Sequence, residues 1–151
     1  MTRTFTSIDE IRAALGETIG PTEPLTIEQD RIDAFATATG DHQWIHVDPE
    51  RAADGPYGAT IAHGYLTLSL IPQFAAQLVA IEFGTARINY GANKVRFPAP
   101  VPVGSQLRAT VTFTDVAESA AGAVLTARYV IDGGGAKPAC VAETLVLVVG
   151  G

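Results

Sequence analysis

The spacing of apolar positions changes once along the chain, from a helical recurrence before about Ala80 to alternation after it. Ile8, Ile11 and Leu15 fall on one face of a first short helix, which Ser7 and Glu10 open as a capping box and Gly16 closes. Gly20-Pro21 breaks the chain before a short extended piece around Pro24-Leu25-Thr26. Thr26 and Gln29 form a second capping box, and the helix they open aligns Ile32, Phe35, Ala36 and Thr39 on one stripe. Asp48 followed by Pro49 marks a third start, an aspartate cap with proline at the first helical position, and Asp54 to Gly58 reads as a loop. From Gly64 to Ala80 the chain is apolar on nearly every face, so this helix must be wrapped by protein or lipid. Pro72, Gln73 and Gln77 lie within it, and it falls short of the roughly 20 apolar residues of a membrane span. It therefore reads as a buried core helix, kinked at Pro72.

Strands follow. Ile88, Tyr90 and Ala92 alternate with polar neighbours, and the apolar phase then shifts to Val95 and Phe97, which predicts a β-bulge near Gly91-Ala92. Pro98 to Pro102 ends that strand. Leu107, Ala109, Val111 and Phe113 alternate in the next, and Leu125, Ala127, Tyr129 and Ile131 repeat the pattern, with hairpin turns at Glu118 to Gly122 and Asp132 to Gly135. The last strand, about Pro138 to Val149, is apolar on both faces except near Glu143 and Thr144, and belongs in the middle of the sheet or under a partner. The fold class is α+β: one domain over residues 1–151, an antiparallel sheet of about five strands wrapped around a long buried central helix, the hotdog arrangement. Such a sheet leaves free edges, and pairing with a second copy is the common remedy, so a homodimer is expected.

Composition narrows the function. Apolar residues make up 47% and charged residues 17%, apolar enough to imply surface covered by another subunit. The net charge is −6 with Lys and Arg scattered, which argues against nucleic acid and against a basic membrane patch. The single cysteine, Cys140, excludes an internal disulfide and reads as a small core residue on a strand. The N-terminus opens no apolar run of signal-peptide type, so a cytoplasmic protein is expected.

The densest proton-transfer chemistry runs from Thr39 to His46. On a continuous helix Asp41 and His46 would point apart, and they can share a site only if the chain leaves the helix between them. Gly40 permits this, because glycine takes the left-handed conformation that ends helices. The stretch reads as a helix end followed by an active-site loop. By residue type alone, Asp41 serves equally as a loop aspartate bonded to nearby backbone, and His46 as a packed histidine. His42 and His46 have the spacing of helical zinc ligands, but no glutamate occupies the intervening catalytic position, so no metal is expected.

Gly40-Asp41, then Ile45-His46, together with Ile61-Ala62-His63-Gly64 and Val95-Arg96-Phe97-Pro98, resemble in order the motifs of the MaoC-like dehydratases, which include (R)-specific enoyl-CoA hydratases. The chain departs from the usual pattern at Gln43-Trp44, where the family most often has Asn-Pro; it resembles in this the subgroup with nodulation protein N. Those two residues are expected to adjust the loop or the pocket entrance. The resemblance implies that Asp41 and His46 jointly hold a catalytic water, and that the Gly64 N–H contacts the thioester oxygen. The substrate would be an acyl-CoA thioester, with no cofactor beyond the coenzyme A it carries.

That chemistry also follows from the reaction's needs. Hydrating a 2-enoyl thioester takes a base for the water proton, an acid for C2 and a donor for the charge on the thioester oxygen. A carboxylate and an imidazole supply the first two, and N–H groups at the start of the apolar helix supply the third. His63 and Asn93 are candidates to line the substrate pocket, each also readable as structural. Lys94 and Arg96 are candidate contacts for the phosphates of coenzyme A, or a solvated face. The other readings are a hotdog thioesterase and a non-catalytic acyl-thioester binder.

Overall fold

The computed structural model describes residues 2–150. A short strand β1 (Arg3–Phe5) leads into helix α1 (Ile8–Ala13), and β2 (Thr18–Ile19) and β3 (Leu25–Thr26) precede helix α2 (Gln29–Thr39). Short helices α3 (Trp44–Val47) and α4 (Pro49–Ala53) lead to α5 (Gly64–Ser69) and α6 (Ile71–Leu78). Strand β4 (Val79–Ile81) follows, then the long strands β5 (Ala86–Arg96), β6 (Gln106–Ser119), β7 (Gly122–Asp132) and β8 (Cys140–Val149).

The long strands form one antiparallel sheet in the order β6-β7-β8-β5, with β2 and β3 both added to β6. The last strand lies between β7 and β5, as its two apolar faces require. Leu107, Val111, Leu125 and Ile131 of the sheet close over Phe74 and Leu78 of α6, all at most 2% exposed. This is the hotdog layout, with a difference in its central helix. The predicted continuous helix from Gly64 to Ala80 is two helices that meet at Leu70, because Pro72 has no N–H to offer and favours a helix start. It also stops at Leu78, since Val79–Ile81 leave as a strand running parallel to β1. Tyr65 is 70% exposed, so the helix is not buried on every face of this chain.

Both expected capping boxes are altered by what lies nearby. Ser7 caps α1 by accepting from the Glu10 N–H, but the Glu10 carboxylate accepts from the Thr6 N–H and hydroxyl, one residue earlier than the box predicts, and these bonds hold it below the usual carboxylate range. Thr26 and Gln29 form no box: Thr26 belongs to β3, and Glu28 precedes α2 without a side-chain cap bond. Gly40 ends α2 at φ +82°, a left-handed conformation that favours glycine. Asp48 caps α4 as predicted, accepting from the Arg51 N–H at 3.1 Å.

The register of β5 against β8 shifts twice, between Asn89 and Gly91 and between Ala92 and Lys94, so Tyr90 and Asn93 are the extra residues on either side of the predicted position. Strand β5 lies at the end of the sheet order, exposed along almost its whole length, with Ile88 and Tyr90 at 48% and 63%. An open cleft of about 920 Å³ lies between α6 and the β4, β5, β7 and β8 strands. Among the described residues no helix is long and apolar enough to cross a membrane.

Cys140 is fully buried at the start of β8, and burial pushes its thiol up to about 11. Because the thiolate is the reactive form, a thiol reagent at about pH 8 should leave the native protein unmodified. The single thiol should appear only when denaturant unfolds the chain.

Candidate active site

Three stretches of chain, around Asp41, His46 and His63, come together beside α2. The αL turn at Gly40 carries Asp41 off the helix axis, and His46 follows on the single turn of α3. The third segment, Thr60 to Ala62, is held by the chain after β5: the Ala62 N–H donates to the Val101 carbonyl at 2.8 Å, and the Val103 N–H to that of Thr60 at 2.9 Å. It delivers His63 to the start of α5.

His46 is buried, 6% exposed, and its Nδ1 donates to the Ile61 carbonyl at 2.7 Å. A carbonyl only accepts, so Nδ1 carries a proton, and the tautomer this bond selects is the one with its lone pair on Nε2. Ile61 in turn donates its N–H to the Ile45 carbonyl at 3.0 Å, so α3 and this segment are joined through both the N–H and the carbonyl of Ile61. His63, 2% exposed, donates from Nε2 to the Asp41 carbonyl at 3.0 Å. Its ring stacks on His46 at 3.9 Å between centroids and 22° between planes, with Phe35 on α2 at 4.9 Å. Among the described residues the buried His63 Nδ1 has no hydrogen-bond partner.

Asp41 is exposed, and one carboxylate oxygen accepts from the Gln43 N–H at 3.3 Å. The backbone-bonded reading of this aspartate is therefore present, alongside its place in the cluster. A carboxylate oxygen of Asp41 and one ring nitrogen each of His46 and His63 lie within 4.8 Å of one another. Two hydrogen bonds of about 2.8 Å meeting at a water span about 4.5 Å, so this spacing suits a bridging water. A metal fits less well: ring lone pairs lie in the ring planes, and two planes so nearly parallel at 3.9 Å meet far beyond the roughly 2 Å reach of a Zn–N bond. His42 is exposed on the loop before α3 and is not part of this group.

His46 thus occupies a helical turn rather than an open loop, and between α2 and α3 the chain is outside a helix only over Gly40 to Gln43. Gln43 is exposed. Trp44 is half-buried and packs on α4, with the Arg51 guanidinium 4.2 Å from its ring centre and its ring edge where a Cβ on Gly55 would sit 3.0 Å away. Trp44 braces the loop from the α4 side. Gly64 opens α5 against the Phe97 ring, which an added Cβ would meet at 2.9 Å. Asn93, Lys94 and Arg96 are exposed on β5, and among the described residues none hydrogen-bonds to Asp41, His46 or His63; the Arg96 guanidinium donates to the Val95 carbonyl at 2.7 Å.

Two polar residues beside the site were not legible as such. The Gln29 amide donates to the His46 carbonyl at 2.7 Å and its oxygen accepts the Thr60 hydroxyl at 2.5 Å. Gln29 fits a local capping pattern, which masks its distant partners, and nothing in the sequence around Thr60 singles it out.

The sequence pattern of the MaoC-like domain matches residues 10–134. The 3-hydroxyacyl-thioester dehydratase Z of Mycobacterium tuberculosis is 53% identical over 146 residues, which cover 95% of this chain and 97% of that protein. Nodulation protein N of Rhizobium leguminosarum is 46% identical over 104 residues, covering 68% of this chain and 65% of that protein. Among solved structures, the (R)-hydratase of A. caviae involved in PHA biosynthesis superposes with a TM-score of 0.69 at 28% identity, covering 89% of this chain and 96% of that one. With its fold, the order of its motifs and near end-to-end similarity to a named dehydratase all in agreement, the chain belongs to the MaoC-like dehydratases, a family of hydro-lyases.

Proposed function

We propose that this chain is an (R)-specific enoyl-CoA hydratase, adding water reversibly to a trans-2-enoyl-CoA to give the (R)-3-hydroxyacyl-CoA. The observation that carries the reading is the water-bridging separation of the Asp41 carboxylate and the imidazole nitrogens beside it. A water held between Asp41 and His46 loses a proton to one of them as its oxygen bonds to C3. The double-bond electrons move toward the thioester oxygen, and C2 then takes a proton, so the elements of water are added without redox change. The Ile61 bond leaves His46 Nε2 as the ring's proton acceptor. The Gly64 N–H, at the start of α5, receives the charge on the thioester oxygen.

The substrate class is supported by the relatives: one is named for 3-hydroxyacyl thioesters and another is called an (R)-hydratase. On this reading coenzyme A enters only as part of the substrate, His63 and Asn93 face the acyl group, and Lys94 and Arg96 meet the coenzyme A phosphates. The enzyme acts in the cytoplasm, in fatty acid metabolism, as a homodimer paired through the exposed edge of β5, where Ile88 and Tyr90 are exposed and Tyr90 lines the open cleft.

Asp41→Asn and His46→Ala should each lower hydration of crotonyl-CoA by about 10²–10⁴-fold, followed as loss of enoyl absorbance, with circular dichroism unchanged. Near-normal turnover by either variant, or thiol release in place of hydration, sinks the assignment. Gly64→Ala forces Phe97 aside and should cost about tenfold or more in kcat/KM with little loss of melting temperature, since the substitution crowds a half-exposed ring rather than the core. Light scattering on a size-exclusion column should give twice the chain mass, and Ile88→Asp with Tyr90→Asp should give the monomer.

A further inference from the structure

Helix α3 is a single turn of four residues, and Gln43 before it supplies no side-chain cap bond. A turn this short does not hold itself in water, and its last carbonyls have no partner within the helix. One of those carbonyls belongs to His46. The group that satisfies it comes from the far end of α2: Gln29, the helix's first residue, donates from Nε2 to the His46 carbonyl at 2.7 Å and to Asp33 Oδ1 at 2.9 Å. Both partners only accept, so the amide cannot flip, and its oxygen must face the Thr60 hydroxyl, which donates to it at 2.5 Å. Thr60 is 1% exposed and precedes Ile61, whose carbonyl orients the His46 ring. A closed circuit results, running from the His46 carbonyl through Gln29, Thr60 and Ile61 back to His46 Nδ1.

We propose that Gln29 is a positioning residue for His46, locking the backbone of the catalytic histidine to the same segment that fixes its ring. The proposal rests on the reading of His46 as a catalytic group. Gln29 touches neither ring nor substrate and acts by holding α3 against Thr60-Ile61, so that Nε2 stays aimed at the water shared with Asp41. With the link cut, α3 keeps its two bonds to Ile61 but loses the restraint on its other side.

Gln29→Glu keeps the shape and an acceptor for Thr60 but presents an oxygen to the His46 carbonyl. Thr60→Val removes the other end of the link, and Thr60→Ser retains it. The measurements are kcat and KM with crotonyl-CoA, and the proton and nitrogen resonances of the His46 ring in substrate-free, ¹⁵N-histidine-labelled protein. Gln29→Glu and Thr60→Val should each lower kcat about tenfold or more with KM within about twofold, because a small misplacement of a reacting group is costly. Both should shift or broaden the His46 Nδ1–H signal, and Thr60→Ser should restore the wild-type signal and rate. A kcat within about twofold of wild type in both variants, or an unmoved His46 signal, overturns the proposal. If Gln29→Glu does not fold, the contrast between Thr60→Val and Thr60→Ser decides. Should the wild type itself fail to hydrate enoyl-CoA, the proposed activity falls, and the ring resonances still decide whether Gln29 positions His46.

Discussion

The carbonyl oxygen of Ile61 is the fixed point of the site. It accepts from His46 Nδ1 at 2.7 Å, and through that single bond sets which nitrogen of the ring carries the proton and which way the other faces. Net of exchange with water such a bond is worth about 1 kcal/mol, but losing it strands two buried polar groups at about 1–3 kcal/mol. The arrangement therefore resists local rearrangement more strongly than its average value implies. Ile61 can serve this way because Thr60 to Ala62 run against Val101 to Val103, with hydrogen bonds on both sides of it. The geometry of a histidine on a one-turn helix is thus inherited from the chain that follows β5.

Around that point the site is assembled by aromatic stacking and backbone acceptors rather than by ion pairs. The salt bridges among the described residues lie elsewhere, on the exposed side chains of Arg3, Arg12 and their carboxylate partners. His63 does two jobs at once: its edge holds the Asp41 carbonyl and its face lies on His46. Asp41, placed on an exposed turn, is kept in register with a buried histidine by a second buried histidine. The αL turn at Gly40 brings Asp41 within reach, and the His63 bond keeps it there.

What was legible in the sequence is what is decided locally. The strand alternation, the Gly40 helix end and the Asp48 cap depend on neighbours in the chain, and each is found where the pattern puts it. Gln29 shows the opposite case: its local pattern is that of a capping residue, but Thr60 and the His46 carbonyl offer it better partners. The break at Leu70 and the departure of Val79–Ile81 depend on Pro72 and on pairing with Arg3–Phe5, and only Pro72 is visible as a signal. The hotdog fold could be read from the order of elements. Asp41 and His46 emerged as a pair from the resemblance of several motifs in order, since their spacing requires only that the chain bend between them. The stack with His63 was out of reach, because ring contact depends on how α5 and α3 are carried by the segment before Val101.

Helix α2 holds both members of the pair, one at each end. Its eleven residues make a rod of about 16 Å, with Gln29 gripping the His46 backbone at the start and Gly40-Asp41 leaving from the finish. A rigid rod that tilts or slides carries both attachments with it. A displacement of α2 therefore reaches Asp41 and the His46 backbone together, and it works against the Thr60-Ile61 segment, to which Gln29 and the His46 ring are both bonded. The spacing of the two side chains is thus set along one helix as well as across the contacts of the cluster.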